Sequence, residues 1–511
     1  MTPWGSYSWG YADVGADIFV ALGLVFGAAS GASNVAFLFA GIVYVCVGLA
    51  YTELAAAYPV AGGGQYFVMR GLGDLLGFMA GWAVLLDFTI DITLFAWGCV
   101  GYLSNLVPLF GQVAHPWEHF FVILALIVGL AVLNIIGVRE STAFQGVVSA
   151  ADVMSETAIL FFGFLFAFNP QLLVHSMQTG WPTAFQLMNG TSLAIISFVG
   201  LESISHAAEE THRPASIIPR TSIALILTIL IFALAYSNLA LGMVPWHPVP
   251  PDSHGVVQPF YQFLGTKENS DKAVAVMASN IPYFGAVAGL YVPILGAILL
   301  LISSNSGVFG SSRIAYSMSQ ANLLPRIFER VSRKYRTPVV SIIAFCALAV
   351  VELIFAALQD DGYVFLGDLY AFGAAASYTL VFIALIWLRF NDPLTPRAFR
   401  IPLNVKVRYK GETVDFPLIG VAGLFGIVAI LIFVLLTHPI GRIAGPAWLI
   451  AGTLGYLGYR RFKKLPLFRS QPRNWAAEQI DILRESGELE LMDEFVEKLR
   501  VRQAAREAAA P

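Results

Sequence analysis

Six carboxylates occur as pairs four residues apart inside strongly apolar stretches: Asp13 and Asp17, Asp87 and Asp91, Asp152 and Glu156. On a helix that spacing stacks both acids of a pair on one face, about one turn apart. An acid near the middle of a bilayer costs at least about 2.5 to 3.5 kcal/mol, so each pair needs a proton or a cation. No Lys or Arg lies within the first six apolar stretches. The expected counter-ion is a proton, a metal ion or a positively charged solute. A proton is the economical choice, with Asp87 the first candidate to carry it. Asp13 also suits an interfacial position, and Asp152 and Glu156 suit a water-exposed helix face. Ser303-Ser304-Asn305-Ser306 offer oxygens for a sodium or solute site, or hydroxyls bonded to their own helix.

Two acids follow a small, flexible step, in Val14-Gly15-Ala16-Asp17 and in Val199-Gly200-Leu201-Glu202. The steps fall in the first and sixth apolar stretches, five apart. Matching interruptions in two five-helix units are what inverted-repeat transporters need, because unwound backbone near the midplane can coordinate a solute. Glycine alone would also suit ordinary close helix packing; the paired arrangement favours interruption. Helices 1 and 6 are therefore predicted to be broken. Gly15, Ala16, Asp17, Ile18 and Phe19, with Val199, Gly200, Leu201 and Glu202, are expected to line the solute site. Asp13, Asp87, Asp91, Ser303 and Ser304 are expected to hold the coupling ion or proton. His206, just past the second step, reads first as a structural histidine.

The elements that must position these residues are membrane helices. The 511 residues have a mean hydropathy of +0.71, with 57% hydrophobic and only 12% charged residues, which excludes an ordinary soluble surface. Apolar stretches of about 20 residues, enough to cross about 30 Å of hydrocarbon, recur twelve times. They centre on residues 11–30, 34–57, 75–104, 118–137, 143–168, 191–208, 220–245, 282–310, 338–358, 363–388, 415–436 and 441–459. No Lys or Arg precedes Arg70, so no cleavable leader is expected.

With the N-terminus in the cytoplasm, Lys267, Lys272 and Arg442 are the only outward members of the 30 Lys and Arg residues. The remainder include Arg326, Arg330, Arg333, Lys334 and Arg336, and then Arg397, Arg400, Lys406, Arg408 and Lys410. The positive-inside rule thus predicts a multi-pass protein of the cytoplasmic membrane with both termini inside. After residue 460 the chain turns charged, and Ile480, Leu483, Leu489, Leu491, Phe495 and Leu499 give a partly amphipathic pattern. A helical cytoplasmic tail over 461–511 follows a transporter domain over 1–460.

Cys46, Cys99 and Cys346 have the spacing of neither a zinc site nor a disulfide framework and read as small buried hydrophobes. No nucleophile, zinc or nucleotide motif appears in a usable context, so no enzyme and no cofactor is expected. The expected partners are a small-molecule solute and the bilayer, with no nucleic acid.

Several blocks resemble the amino acid-polyamine-organocation superfamily across essentially the first 460 residues. They are Tyr58-Pro-Val-Ala-Gly-Gly-Gly-Gln-Tyr66 with Gly77-Phe-Met-Ala-Gly-Trp82; Gly200-Leu-Glu-Ser203 with Ala208-Glu-Glu210, Pro214 and Ile218-Pro-Arg220; and Ser311, Arg313, Leu324-Pro325 and Tyr335-Arg-Thr-Pro338. The resemblance implies an all-α integral membrane protein of LeuT-type fold: twelve transmembrane helices, a 5+5 inverted repeat over about 8–170 and 190–390, and two additional helices over about 415–459. It implies a permease for amino acids or related amines, working by alternating access and coupled to H+, Na+ or K+. The family's first helix commonly reads Gly-x-Gly-Ile-Phe, with free amides for a substrate carboxylate. Here Asp17 takes the place of the second glycine, and an ionised Asp17 would repel that carboxylate. A lysine of the fifth span acts in the proton logic of some relatives, but residues 149–156 contain none. Tyr11-Ala-Asp13-Val-Gly15 and Leu85-Leu-Asp87-Phe88 are similar to potassium-uptake permeases of the same superfamily, so proton-coupled potassium uptake stands as the alternative.

Overall fold

The structure is a computed structural model describing all residues except 1, 61, 138–141, 207, 209, 210, 212, 252–254, 410, 411 and 509–511. Ala61, Glu209 and Glu210 of the motifs above, Lys410 and the His206 side chain lie outside the described residues. In chain order the helices are α1 (Pro3–Ala29), α2 (Ser33–Ala57), α3 (Gly63–Leu72), α4 (Asp74–Ser104), α5 (Pro116–Ile136), α6 (Thr142–Phe166), α7 (Pro170–Thr179), α8 (Ala184–Ala194), α9 (Glu202–His206), α10 (Pro214–Gly242), α11 (Phe260–Leu264), α12 (Ala273–Ser279) and α13 (Gly285–Gln320). They continue with α14 (Val339–Ala357), α15 (Gly362–Asn391), α16 (Leu418–Thr437), α17 (Gly441–Phe462), α18 (Trp475–Glu485) and α19 (Leu489–Ala508). A hairpin of β1 (Asn404–Tyr409) and β2 (Glu412–Pro417) interrupts the series, with Val405 opposite Phe416 and Val407 opposite Val414.

Among the described residues, ten stretches are long and apolar enough to cross a membrane, and the first of them contains both α1 and α2. The twelfth expected span, α17, is less apolar and is not among them. Its 22 residues are still long enough to cross the hydrocarbon, and packing on α4 holds it. Trp82 and Trp448 stack at 4.5 Å, and each indole N–H donates to the other's carbonyl, at 2.9 and 2.8 Å. A Cβ on Gly452 would overlap the Trp82 indole nitrogen, so only glycine permits this approach.

Helices five spans apart pack on each other: α1 on α8, α2 on α10, α4 on α13 and α5 on α14. A pseudo-twofold relating two five-helix units produces that pairing, and because five is odd the second unit enters from the opposite face. The apolar window of α4 is wholly enclosed, whereas α5, α6 and α10 present Phe121, Phe161, Leu227 and Ile231 outward. The acids of α4 therefore sit at the centre of the bundle.

Only one of the two expected breaks is present. The sixth span is interrupted: α8 tightens into a 3-10 turn at Ile195–Phe198, Val199 is extended, Gly200 takes a φ of +93°, and α9 restarts at Glu202. The first span, by contrast, runs unbroken from Pro3 to Ala29. One glycine costs a helix only about 1 kcal/mol. With Asp17 in place of a second glycine, and the Tyr11 ring lying where a Gly15 Cβ would meet it at 2.8 Å, nothing at this step opposes helix continuity.

On the face where α1 begins, here the N-terminal face, a buried ion cluster joins α2 to the end of α15. Glu53 receives Arg389 through two bonds of 2.6 and 2.5 Å, Arg397 at 3.3 Å and the Ile401 amide at 2.9 Å. The α18–α19 pair lies on this same face, with Leu483 and Phe495 buried and Leu489 exposed.

Candidate functional site

Five carboxyls converge where the break of the sixth span meets α1 and α4: Asp13, Asp17, Asp87, Asp91 and Glu202, each at most 5% exposed. The break itself brings α1 close. A Cβ on Gly200 would lie 3.1 Å from Asp13 Oδ2, so a side chain there would press on the carboxyl. Asp13 Oδ1 accepts from Ser306 at 2.5 Å and from Ser303 at 3.4 Å, which ties α1 to α13. One turn further on, neither carboxyl oxygen of Asp17 has a hydrogen-bond partner among the described residues.

Glu202 accepts from the Tyr378 hydroxyl at 2.7 Å. Asp87 and Asp91 are buried on α4, and one oxygen of each has no hydrogen-bond partner among the described residues. Close backbone approach lets these helices converge: a Cβ on Gly307 of α13 would lie 2.8 Å from the Phe88 carbonyl and 2.9 Å from the Asp91 Cβ.

The residues expected at the site divide accordingly. Asp13, Asp17, Asp87, Asp91, Gly200, Glu202 and Ser303 come together. Gly15, Ala16, Ile18, Val199 and Leu201 are buried in the same elements. Ser304 does not join them; its hydroxyl donates to the Ile92 carbonyl at 2.8 Å and is a helix tie. Because α1 is continuous, Gly15 to Phe19 offer no unwound amides. The Phe19 carbonyl takes the Tyr102 hydroxyl at 3.2 Å, and the two rings lie 5.5 Å apart.

Asp152 and Glu156 are not on a water-exposed face. Both are fully buried against α1, with the Tyr11 hydroxyl at 3.0 Å from Asp152 Oδ2 and 2.6 Å from Glu156 Oε2. Sequence reasoning also missed the phenols around the cluster. Tyr44 stacks on Phe198 at 4.8 Å, and Tyr51 meets Tyr378 edge-on at 5.7 Å. The hydroxyls of Tyr44 and Tyr51 are buried without a hydrogen-bond partner among the described residues, and a tyrosine inside an apolar span was the only signal.

A narrow cavity of about 30 Å³, room for little more than one water, runs from Asp13, Ser203 and Ser306 toward the N-terminal face. Its wall includes Trp9, whose ring meets Phe309 at 5.6 Å, and Arg313, which lies 3.9 Å over the same phenyl ring. Among the described residues no cluster of His, Cys, Asp and Glu has the arrangement of a metal centre.

Comparison with known proteins shows the family through the sequence. The chain is 25% identical over 407 residues to the branched-chain amino acid permease BcaP of Bacillus subtilis, covering 76% of this chain and 80% of that protein. It is 25% identical to the vacuolar cationic amino acid transporter 4 of Arabidopsis thaliana, covering 74% of this chain and 61% of that longer protein. Among solved structures it matches the manganese transporter of Eremococcus coleocola at 12% identity, with a TM-score of 0.48, over 90% of this chain and 94% of that one. A sequence model described as "Amino acid permease" matches residues 10–457, nearly the whole helical bundle. The chain therefore belongs to the amino acid permease family and is a membrane transport protein.

Proposed function

We propose that this permease moves amino acids or related amines across the cytoplasmic membrane by alternating access, driven by protons, with both termini in the cytoplasm. The observation that carries this reading is the meeting of five buried carboxyls at the sixth-span break, with no Lys, Arg or His among the described residues donating to any of them. Such a site attracts the ammonium group of a solute and exchanges its own protons as the solute enters and leaves. Tyr378, which donates to Glu202, and Tyr51, edge-on to it, place aromatic rings beside the site, and such rings suit an ammonium group by cation–π attraction. Asp87, buried with no basic residue donating to it among the described residues, holds the coupling proton in this scheme. The basic residues gathered on the N-terminal face support the orientation.

The test is uptake into proteoliposomes under an imposed pH gradient, comparing labelled amino acids, polyamines and rubidium, with and without sodium. Saturable, gradient-dependent entry of an amine-bearing solute without sodium is the expected result. Entry of rubidium alone would replace this reading with proton-coupled potassium uptake.

A further inference from the structure

Helix α18 is laid across the N-terminal face and fastened at both ends, with α19 packed on it. At the first end Asp74, the opening residue of α4, receives Arg473 at 2.5 Å, Arg460 at 2.9 Å and the Gln471 amide at 3.0 Å. Arg473 also donates to the Ala321 carbonyl, just past α13, at 3.1 Å. Next to it, Tyr66 of α3 donates to Glu478 at 2.8 Å, and Arg70 lies 5.4 Å over the Trp475 ring. Gln479, fully buried, donates to the Ala57 carbonyl at the end of α2 at 3.0 Å.

Among the described residues the second end is thinner. The Ala215 amide in the first turn of α10 donates to Glu488 Oε1 at 3.0 Å, and the Arg213 amide to the Ser486 carbonyl at 3.4 Å. A carboxylate on a helix N-terminus is a modest attraction. Asp74 is a buried anion paired with two guanidiniums, and separating such a group strands unpaired charge. The Glu488 end is therefore the one that lets go.

Its position gives that release a consequence. Arg213 and Ala215 follow closely on α9, the short helix that opens with Glu202 at the sixth-span break. For α9 and the start of α10 to swing away from α3 and α4 on this face, Glu488 must separate from Ala215 or Asp74 from its arginines. We propose that residues 470–488 form a strap that holds the N-terminal face closed, and that release of its Glu488 end opens the narrow cavity beneath Asp13. The strap goes beyond the transport reading and needs no identified solute.

Opening is measured as the rate at which Gln145→Cys, in the wall of the cavity, reacts with a polar maleimide in lipid nanodiscs. The parent chain, whose three cysteines lie in spans, sets the background. Glu488→Ala is expected to raise the rate by about fivefold, the effect of losing one such hydrogen bond. Arg213→Cys combined with Ser486→Cys, oxidised to a disulfide, is expected to bring the rate down to background, and a reductant to restore it. Equal rates in the oxidised and reduced forms, with the cross-link verified by gel mobility, would overturn the strap even if Glu488→Ala failed to insert. Since labelling is read without solute, a chain that transports nothing tested would count against the proposed function and leave this result standing.

Discussion

Gly200 sits against Asp13, and that contact joins the break of the sixth span to the unbroken first one. The Gly200 φ of +93° belongs to a region that residues with a Cβ rarely adopt, and an added Cβ would lie 3.2 Å from the Val14 amide as well as 3.1 Å from Asp13. Gly200→Ala therefore faces backbone strain of order 1 to 3 kcal/mol at the centre of the site. The expected outcome is at least about a tenfold fall in uptake, equivalent to about 1.4 kcal/mol, in a protein that still elutes as a single folded species. Full activity of the alanine variant would show that the break need not hold this geometry.

Asp87→Asn replaces a buried carboxyl, which can take up and release a proton, by an amide that can do neither. The position is then fixed in an uncharged state. Uptake driven by a pH gradient should be abolished, while exchange of solute across the membrane without a gradient persists. Accumulation equal to the parent at every pH would remove Asp87 from the coupling scheme.

Much of the architecture was legible because a bilayer demands long apolar helices and internally bonded backbone. The acids of α1 and α4 stood out for the same reason, since a charge in that setting must be functional or paired. The continuity of α1 was not legible. The Gly15 step resembles the Gly200 step in sequence, and the difference lies in tertiary packing: Tyr11 covers Gly15, whereas Gly200 is pressed between Asp13 and Val14. Tyr378 and Tyr44 were hidden because nothing in their spacing marks which face of a span points inward. The β1–β2 hairpin was masked by its basic residues, although Val405 and Val407 alternate with Lys406 and Arg408 as a strand requires. In the tail, Leu483 and Phe495 show a buried face, but only coordinates show that Asp74 and Ala215 are what the tail holds.

Glu53 neutralises two buried guanidiniums, those of Arg389 and Arg397, whose side chains are 3% and 4% exposed. Glu53→Gln leaves both charges without their anion, and breaking a buried pair of this kind costs about 3 to 5 kcal/mol. The variant should lose a large share of its thermal stability in detergent, followed by size-exclusion after heating. An unchanged melting midpoint would mean that water reaches these arginines and that the cluster does not hold α2 to α15.

Asp271 gives a pH dependence on the opposite face. The 3-10 turn Ser270–Lys272 is wedged against α1 and α4, where a Cβ on Gly23 would collide with the Ser270 carbonyl and one on Gly101 would lie 2.5 Å from the Asp271 carboxyl. Burial pushes the Asp271 carboxyl up to about 7; the neighbouring Lys272 partly offsets this, and Asp361 and Glu268 add to it. Free in water the group would titrate near about 3.9. Docking is thus fully favoured below that lower value and loses stability as pH rises through about 7, because the buried carboxyl must then ionise. Hydrogen exchange over residues 266–280, corrected for the intrinsic rate, should show less protection at pH 8 than at pH 6. Asp271→Asn should be protected equally at both, because its amide cannot ionise. If the parent turn is equally protected at pH 6 and pH 8, the wedge does not depend on this carboxyl.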